Sequence, residues 1–232
     1  MAKGKIAAMQ RAVLSGPKFA QDQDRPAVRV DDDTCRAFML SHGMDYRGCR
    51  RLEALGVPGR FVAVLGARLA IGQARVALCG RGTLWEPEGP DARLLLACFD
   101  EGGLCDVAAV STSSPDQVAL RLGVGWCLGF DRIEDAERAV LAERRVRLRV
   151  FADPMEWLRA GPSSSSEAIG QFKSPGIVVL DWAAALPRLR MLGERVTLEC
   201  DAGAGEQLRA RLKVGGLPRV SERAPVARQE AA

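Results

Sequence analysis

Five carboxylates stand at the ends of three short apolar runs in the last third of the chain, where they could bind a divalent metal or serve phosphate transfer. Asp153 and Glu156 follow Val146-Arg147-Leu148-Arg149-Val150-Phe151. Asp181 follows Ile177-Val178-Val179-Leu180, and Glu199 and Asp201 follow Val196-Thr197-Leu198. In a strand, residues two apart project to the same side, so Glu199 and Asp201 are expected to point together. Ala202-Gly203-Ala204-Gly205 then gives a small, flexible lead into the last helix. With Glu156 from a neighbouring strand end, this pair has the composition of a Mg²⁺ site, since Mg²⁺ takes a few carboxylates and keeps several waters. Glu156 also has a simpler role open to it. Behind Pro154, in the first turn of a helix, an acid stabilises the helix dipole by a fraction of a kcal/mol.

Each of these runs is followed by a helical pattern. A β-α-β-α-β chain builds a parallel sheet, because each helix returns the chain so that the next strand runs the same way. Ligands of such sheets sit outside the carboxyl ends of the strands, so the acids are expected on one edge. Strands are predicted near 146–151, 177–181 and 195–200, with helices from Ala183 to Leu192 and Glu206 to Val214. Asp131 to Arg144 is predicted as an amphipathic helix, with Ile133, Ala136, Val140 and Leu141 on one side. Between Gly161 and Gly176 lies a serine-rich insertion (162–175), whose composition predicts a mobile surface loop. Arg219-Val220 is read as a short edge strand and 222–232 as a tail.

Upstream, 60–145 is predicted as an α+β region. Its expected strands are Phe61 to Leu65, Ala74 to Leu78, Leu94 to Phe99 and Cys105 to Val110. Glu86 to Asp91 and Asp100 to Gly103 are expected turns, the second a hairpin. Pro115 to Leu122 is read as one helical turn or a further strand. Residues 31–59 are read as a short helical pair, Cys35 to His42 and Arg47 to Leu55, with Asp31-Asp32-Asp33-Thr34 as capping candidates. No recognition helix rich in surface polar residues follows, so the pair is read as packed on the next domain and not as a DNA-reading helix-turn-helix. Residues 1–30 are read as a flexible arm with a frayed helix near Ile6 to Leu14.

Composition narrows the classes. Apolar content of 47% with 27% charged residues is that of a globular protein. The net charge of +4, from 33 basic and 29 acidic residues, permits nucleic-acid contact without demanding it. Seven cysteines without CxxC spacing, beside the single histidine His42, read as buried reduced thiols and not as a zinc site. No apolar run has membrane-spanning length and no signal-peptide core follows Met1, so a cytoplasmic protein is expected. There is no GxxxxGK[ST] loop and no GxSxG, and one histidine leaves little for a nucleophilic triad. Gly123-Val124-Gly125-Trp126-Cys127-Leu128-Gly129 departs from the dinucleotide fingerprint and is read as a turn with close backbone packing.

Residues 91–217 resemble the Toprim domain of phage- and plasmid-type DNA primases. Pro154-Met155-Glu156-Trp157-Leu158 is similar to the family's catalytic glutamate at a helix start. Gly176 to Leu180 with Ala183 to Leu192 is similar to its non-catalytic strand and helix. Glu199-Cys200-Asp201-Ala202-Gly203-Ala204-Gly205 is similar to its paired-aspartate motif. A glutamate stands where the first aspartate belongs, the glycine is displaced by one position, and Asp153-Pro154-Met155 replaces the glycine before the catalytic glutamate. The resemblance implies an α/β protein in which a Toprim-like parallel βαβαβ unit (146–221) joins a small mixed or antiparallel α+β region with a helical amino-terminal appendage. It also implies Glu156, Glu199 and Asp201 as catalytic and metal-binding residues, with Mg²⁺ binding weak or lost.

Three functions follow from that expectation. One is a nucleic-acid-associated accessory protein of prophage or plasmid replication, with DNA or RNA and replication proteins as partners and a reduced, inactive site. The second is an active Mg²⁺-dependent primase-like or nuclease-like enzyme. The third is a non-catalytic interaction scaffold.

Overall fold

The computed structural model describes residues 32–162, 173–212 and 218–223, with side chains from Cys35 onward. The expectations for the amino-terminal arm, for 163–172 of the serine-rich insertion, for the end of the last helix and for the tail from 224 fall outside these residues. All that is described belongs to one unit, residues 31–232. It is a mixed α/β protein with two mixed sheets, one closed into a barrel. No described helix is long and apolar enough to cross a membrane.

Three helices come first: α1 (Asp32–Ser41), α2 (Tyr46–Ala54) and α3 (Gly59–Ala67). Asp45 caps α2 by accepting from the Gly48 N–H at 2.6 Å. The strand expected at Phe61 to Leu65 is instead the middle of α3. Pro58, in extended conformation, sets the helix start, and Phe61, Val62 and Leu65 are its buried residues. A short apolar run does not by itself separate strand from buried helix, and here the preceding proline and the helical spacing decide.

The barrel follows. Its strands are β1 (Ile71–Cys79), β2 (Leu84–Pro87), β3 (Asp91–Asp100), β4 (Gly103–Val110) and β5 (Val118–Leu120), closed in the order β1-β2-β5-β4-β3. All neighbours are antiparallel except β2 and β5, which meet in parallel at Leu84 and Leu120. The β3–β4 hairpin turns at Asp100 to Gly103, where Asp100 Oδ1 accepts from the Gly102 N–H at 2.8 Å. Pro115 to Leu122 resolves into strand β5. The turn expected over Glu86 to Asp91 is shorter, because β2 runs through Pro87. Trp85 draws that segment inward: it is buried, and its Nε1–H donates to the Val107 carbonyl at 2.9 Å. Leu94 to Cys98 of β3 are buried without alternation, which requires cover on both sides of the strand.

The second sheet is built from β6 (Cys127–Leu128), β7 (Val146–Phe151), β8 (Ile177–Val179), β9 (Val196–Cys200) and β10 (Arg219–Glu222), in the order β10-β9-β7-β8-β6. The three strands read from the apolar runs lie parallel in it, with β10 parallel at one edge and β6 antiparallel at the other. Helices α4 (Phe130–Leu141), α5 (Pro154–Ala160), α6 (Trp182–Met191) and α7 (Gly205–Leu212) alternate with the strands. Phe130, Ile133 and Ala136 of α4, Ala185 and Leu189 of α6, and Leu208 and Leu212 of α7 share one core with Leu148, Val150, Val196, Leu198 and Cys200. Alternation along β7 and β9 therefore leaves Arg147, Arg149, Thr197 and Glu199 on the opposite face.

Three further expectations need correction. The 123–129 phrase ends in strand β6 rather than remaining a turn throughout, because Cys127 and Leu128 pair with Val179 and Val178. The tail begins later than expected: β10 extends through Glu222, whose carboxylate accepts from Gly203 and Gly205 at 3.0 and 3.1 Å and so holds the start of α7. The end of the insertion is anchored, since Ser174 is buried and its N–H donates to Asp131 Oδ2 at 2.9 Å.

Candidate functional site

Two of the strand-end acids are helix caps. Asp153 Oδ1 accepts from Met155 and Glu156 N–H at 2.7 and 2.9 Å, and Asp181 Oδ1 accepts from Ala183 at 2.8 Å. Each satisfies amide groups that the first turn of a helix leaves unbonded. Both carboxylates serve the fold.

Glu199 and Asp201 lie on the face of β9 away from the core, and arginines answer both. Glu199 sits between Arg147 Nη1 at 3.5 Å and Arg223 Nε at 3.7 Å. Asp201 Oδ1 accepts from Arg149 Nη2 at 3.1 Å. The register accounts for this grouping, because Arg149, Glu199 and Ser221 pair across β7, β9 and β10. The Arg149 guanidinium also lies 4.1 Å above the Phe151 ring. Glu156 has no ion pair of this kind among the described residues, although a backbone hydrogen bond at Ala152 and the more distant charge of Arg159 favour its ionised form. Its Oε2 is buried and receives no hydrogen bond among the described residues. Burial, followed by the charges of Asp153 and Asp201, pushes the Glu156 carboxyl above its ordinary range.

The structure thus brings Glu156 and Asp201 within electrostatic reach and turns Glu199 towards two guanidiniums. Among the described residues, no three His, Cys, Asp or Glu side chains gather as metal ligands. The donors as folded do not fit Mg²⁺, because a cation there would have to displace Arg149 from Asp201 and both arginines from Glu199.

Sequence reasoning missed the arginines. Arg132, Arg147, Arg149 and Arg223 line a cleft of about 350 Å³, together with Glu199, Ala160 to Pro162 and Pro175. The Nε–H groups of Arg132 and Arg149 are buried there without a hydrogen-bond partner among the described residues. Arg147 and Arg223 share the one carboxylate of Glu199, while Arg149 is paired with Asp201 and Arg132 with Asp135 at 3.0 Å, so four guanidiniums meet three carboxylates and a small cationic excess remains. The alternation Arg147-Leu148-Arg149 was a visible signal, being two same-facing cations on a strand, but Arg132 and Arg223 come from elements whose approach no local pattern reveals.

A second acid was also missed. Asp106 is fully buried, and its carboxylate accepts from the N–H groups of Val107, Leu122, Val124 and Gly125 at 2.7 to 3.0 Å. It fastens the glycine-bearing phrase to the barrel. A Cβ at Gly125 would lie 2.8 Å from Asp106 Cβ and 3.0 Å from Cys98 Cβ, so this position demands glycine. The cysteines form no disulfide among the described residues. Burial pushes the Cys98 thiol well up and that of Cys105 to about 12, which holds both protonated.

Comparison of the chain with protein-family models, with curated proteins and with solved structures gives no match.

Proposed function

We propose that this chain is a nucleic-acid-associated accessory protein, built on a Toprim-like unit whose carboxylate site is reduced and inactive. One observation carries the reading. On the sheet face that carries Glu199, arginines pair with the two acids to which the resemblance assigns a metal and line an open cleft. Guanidinium groups are suited to phosphate oxygens because they offer paired N–H donors in a fixed plane. Such contacts favour a polyanionic backbone without reading its sequence. Mg²⁺ binding in this reading is weak or lost. The resemblance to phage- and plasmid-type primases adds the setting, replication of a mobile element alongside replication proteins.

The test is binding of labelled single-stranded and duplex DNA and of RNA, followed by fluorescence anisotropy across a salt series. Affinity is expected to fall steeply with salt, and the double variant Arg147→Ala/Arg223→Ala to flatten the slope by about one per phosphate contact removed. No binding at low salt, or an unchanged slope in the double variant, would refute the reading and leave the interaction scaffold. Mg²⁺-dependent nicking or primer synthesis by the purified protein, lost in Glu156→Gln, would make the chain an enzyme.

A further inference from the structure

The barrel carries a second cationic cleft, built independently of the sheet. It lies between α2 and strands β1 and β3, has a volume of about 310 Å³, and is lined by Arg51, Arg75 and Arg93 with no carboxylate in its lining. The volume is at the lower end of the range for small-molecule pockets, about 300–1,000 Å³.

The three guanidiniums are short of negative partners. Neither Arg51 nor Arg75 has an ion pair among the described residues. Arg51 Nη2 donates to Thr112 Oγ1 at 3.1 Å. Arg75 is held by backbone carbonyls, its Nη2 donating to Pro90 at 2.6 Å and its Nε to Gly89 at 3.4 Å. Arg93 is the most telling. Its side chain is only 9% exposed, and its one ion pair among the described residues is with Asp91 Oδ2 at 3.7 Å. A charge buried to that extent is costly unless an opposite charge comes close, and three like charges around one cavity add to the cost.

We propose that this cleft binds a small organic phosphate of mononucleotide size. A lone carboxylate is satisfied by a single guanidinium, whereas three guanidiniums match the two or more negative charges of a phosphate ester or diphosphate. The Thr112 hydroxyl supplies a neutral hydrogen-bonding group, while the Gln73 amide is engaged by the Asp45 carboxylate behind it. Leu52, Leu94 and Met44 give the cavity apolar surface for the organic body, which free phosphate lacks. Because backbone carbonyls and Thr112 already orient Arg75 and Arg51, little ordering remains to be done on binding.

Calorimetric titration of the full chain with AMP and ADP tests this, with inorganic phosphate and acetate as controls. Saturable binding of the nucleotides is expected, tighter than that of phosphate, with acetate silent. Arg51→Gln and Arg75→Gln, both at exposed side chains, are each expected to weaken it about tenfold or more. Arg147→Ala/Arg223→Ala is expected to leave it unchanged, which separates this site from the sheet cleft. The proposal falls if no nucleotide binds at millimolar concentration, if phosphate binds as tightly as AMP, or if the Arg51 and Arg75 variants bind like the wild type.

Discussion

The barrel and the parallel sheet use the same charged residue types in opposite ways. In the barrel, the buried acid Asp106 spends its carboxylate on four backbone N–H groups, while Arg51 and Arg75 line a cleft without an acid. In the sheet, Glu199 and Asp201 are paired with arginines across the strands, and Glu156 keeps a buried oxygen with no donor. The difference shows that a carboxylate's position in the chain says little about its work. Nearby backbone amides make an acid structural, close guanidiniums make it a counter-ion, and an acid such as Glu156, in which burial and neighbouring carboxylates outweigh both, stores an unfavourable charge.

The comparison breaks most sharply at Asp106. Asp106→Ala would strand the buried N–H of Gly125 and the part-buried N–H groups of Leu122 and Val124, and leaving such donors without an acceptor is expensive. A loss on the order of 3–5 kcal/mol in denaturant unfolding is expected, at the upper end for single changes. A loss comparable to that of a surface substitution would show that the phrase holds itself in place.

Asp201→Asn should cost far less. Arg149 would lose a half-exposed counter-ion yet retain Phe151 beneath it and an amide oxygen as acceptor. Exposed ion pairs contribute about 0–1 kcal/mol, so denaturant unfolding should place the change within that range. A loss as large as that at Asp106 would mean that sheet and barrel do not differ in the way described.

Glu156 gives the smallest effect, and its sign is what matters. Its folded carboxyl titrates above the ordinary value of 4.5, so the folded state holds its proton more tightly than the unfolded state. Glu156 thus favours the fold below that ordinary value, and the advantage is lost as pH rises through the raised folded value. Glu156→Gln should therefore raise the melting temperature slightly at neutral pH and remove that decline from the acid limb of the stability profile. Thermal melts of both proteins across pH 4 to 7 check this, the window being about that of a perturbed carboxyl. A lower melting temperature for the variant at neutral pH would mean that the ionised carboxylate is satisfied after all.

Much of the sheet was legible because strand and helix alternate there with clear periods. Val146 to Phe151 alternates cation and apolar residue, Asp153-Pro154 marks a helix start, and Glu199 and Asp201 share a side as their spacing requires. The barrel was less legible. Phe61 to Leu65 carries an apolar run that suits strand or buried helix equally, and Leu84 to Pro87 was hidden by its proline and by the turn residues behind it. Closure of β2 onto β5 rests on the contact of Leu84 with Leu120, a pairing across 36 residues that no local pattern announces.

By itself the sequence determined the parallel strands, the helix start at Pro154, and the glycine-bearing phrase as a site of close packing. These follow from backbone sterics, side-chain alternation and hydrogen bonds between near neighbours in the chain. The tertiary structure alone decided what each charge meets. Arg223 reaches Glu199 from a different strand, Asp106 reaches Gly125 across the barrel wall, and Arg51, Arg75 and Arg93 converge from a helix and two strands. Electrostatic partnership depends on distance in space, and the fold sets that distance by burying apolar surface, with no regard to where along the chain the charges were placed.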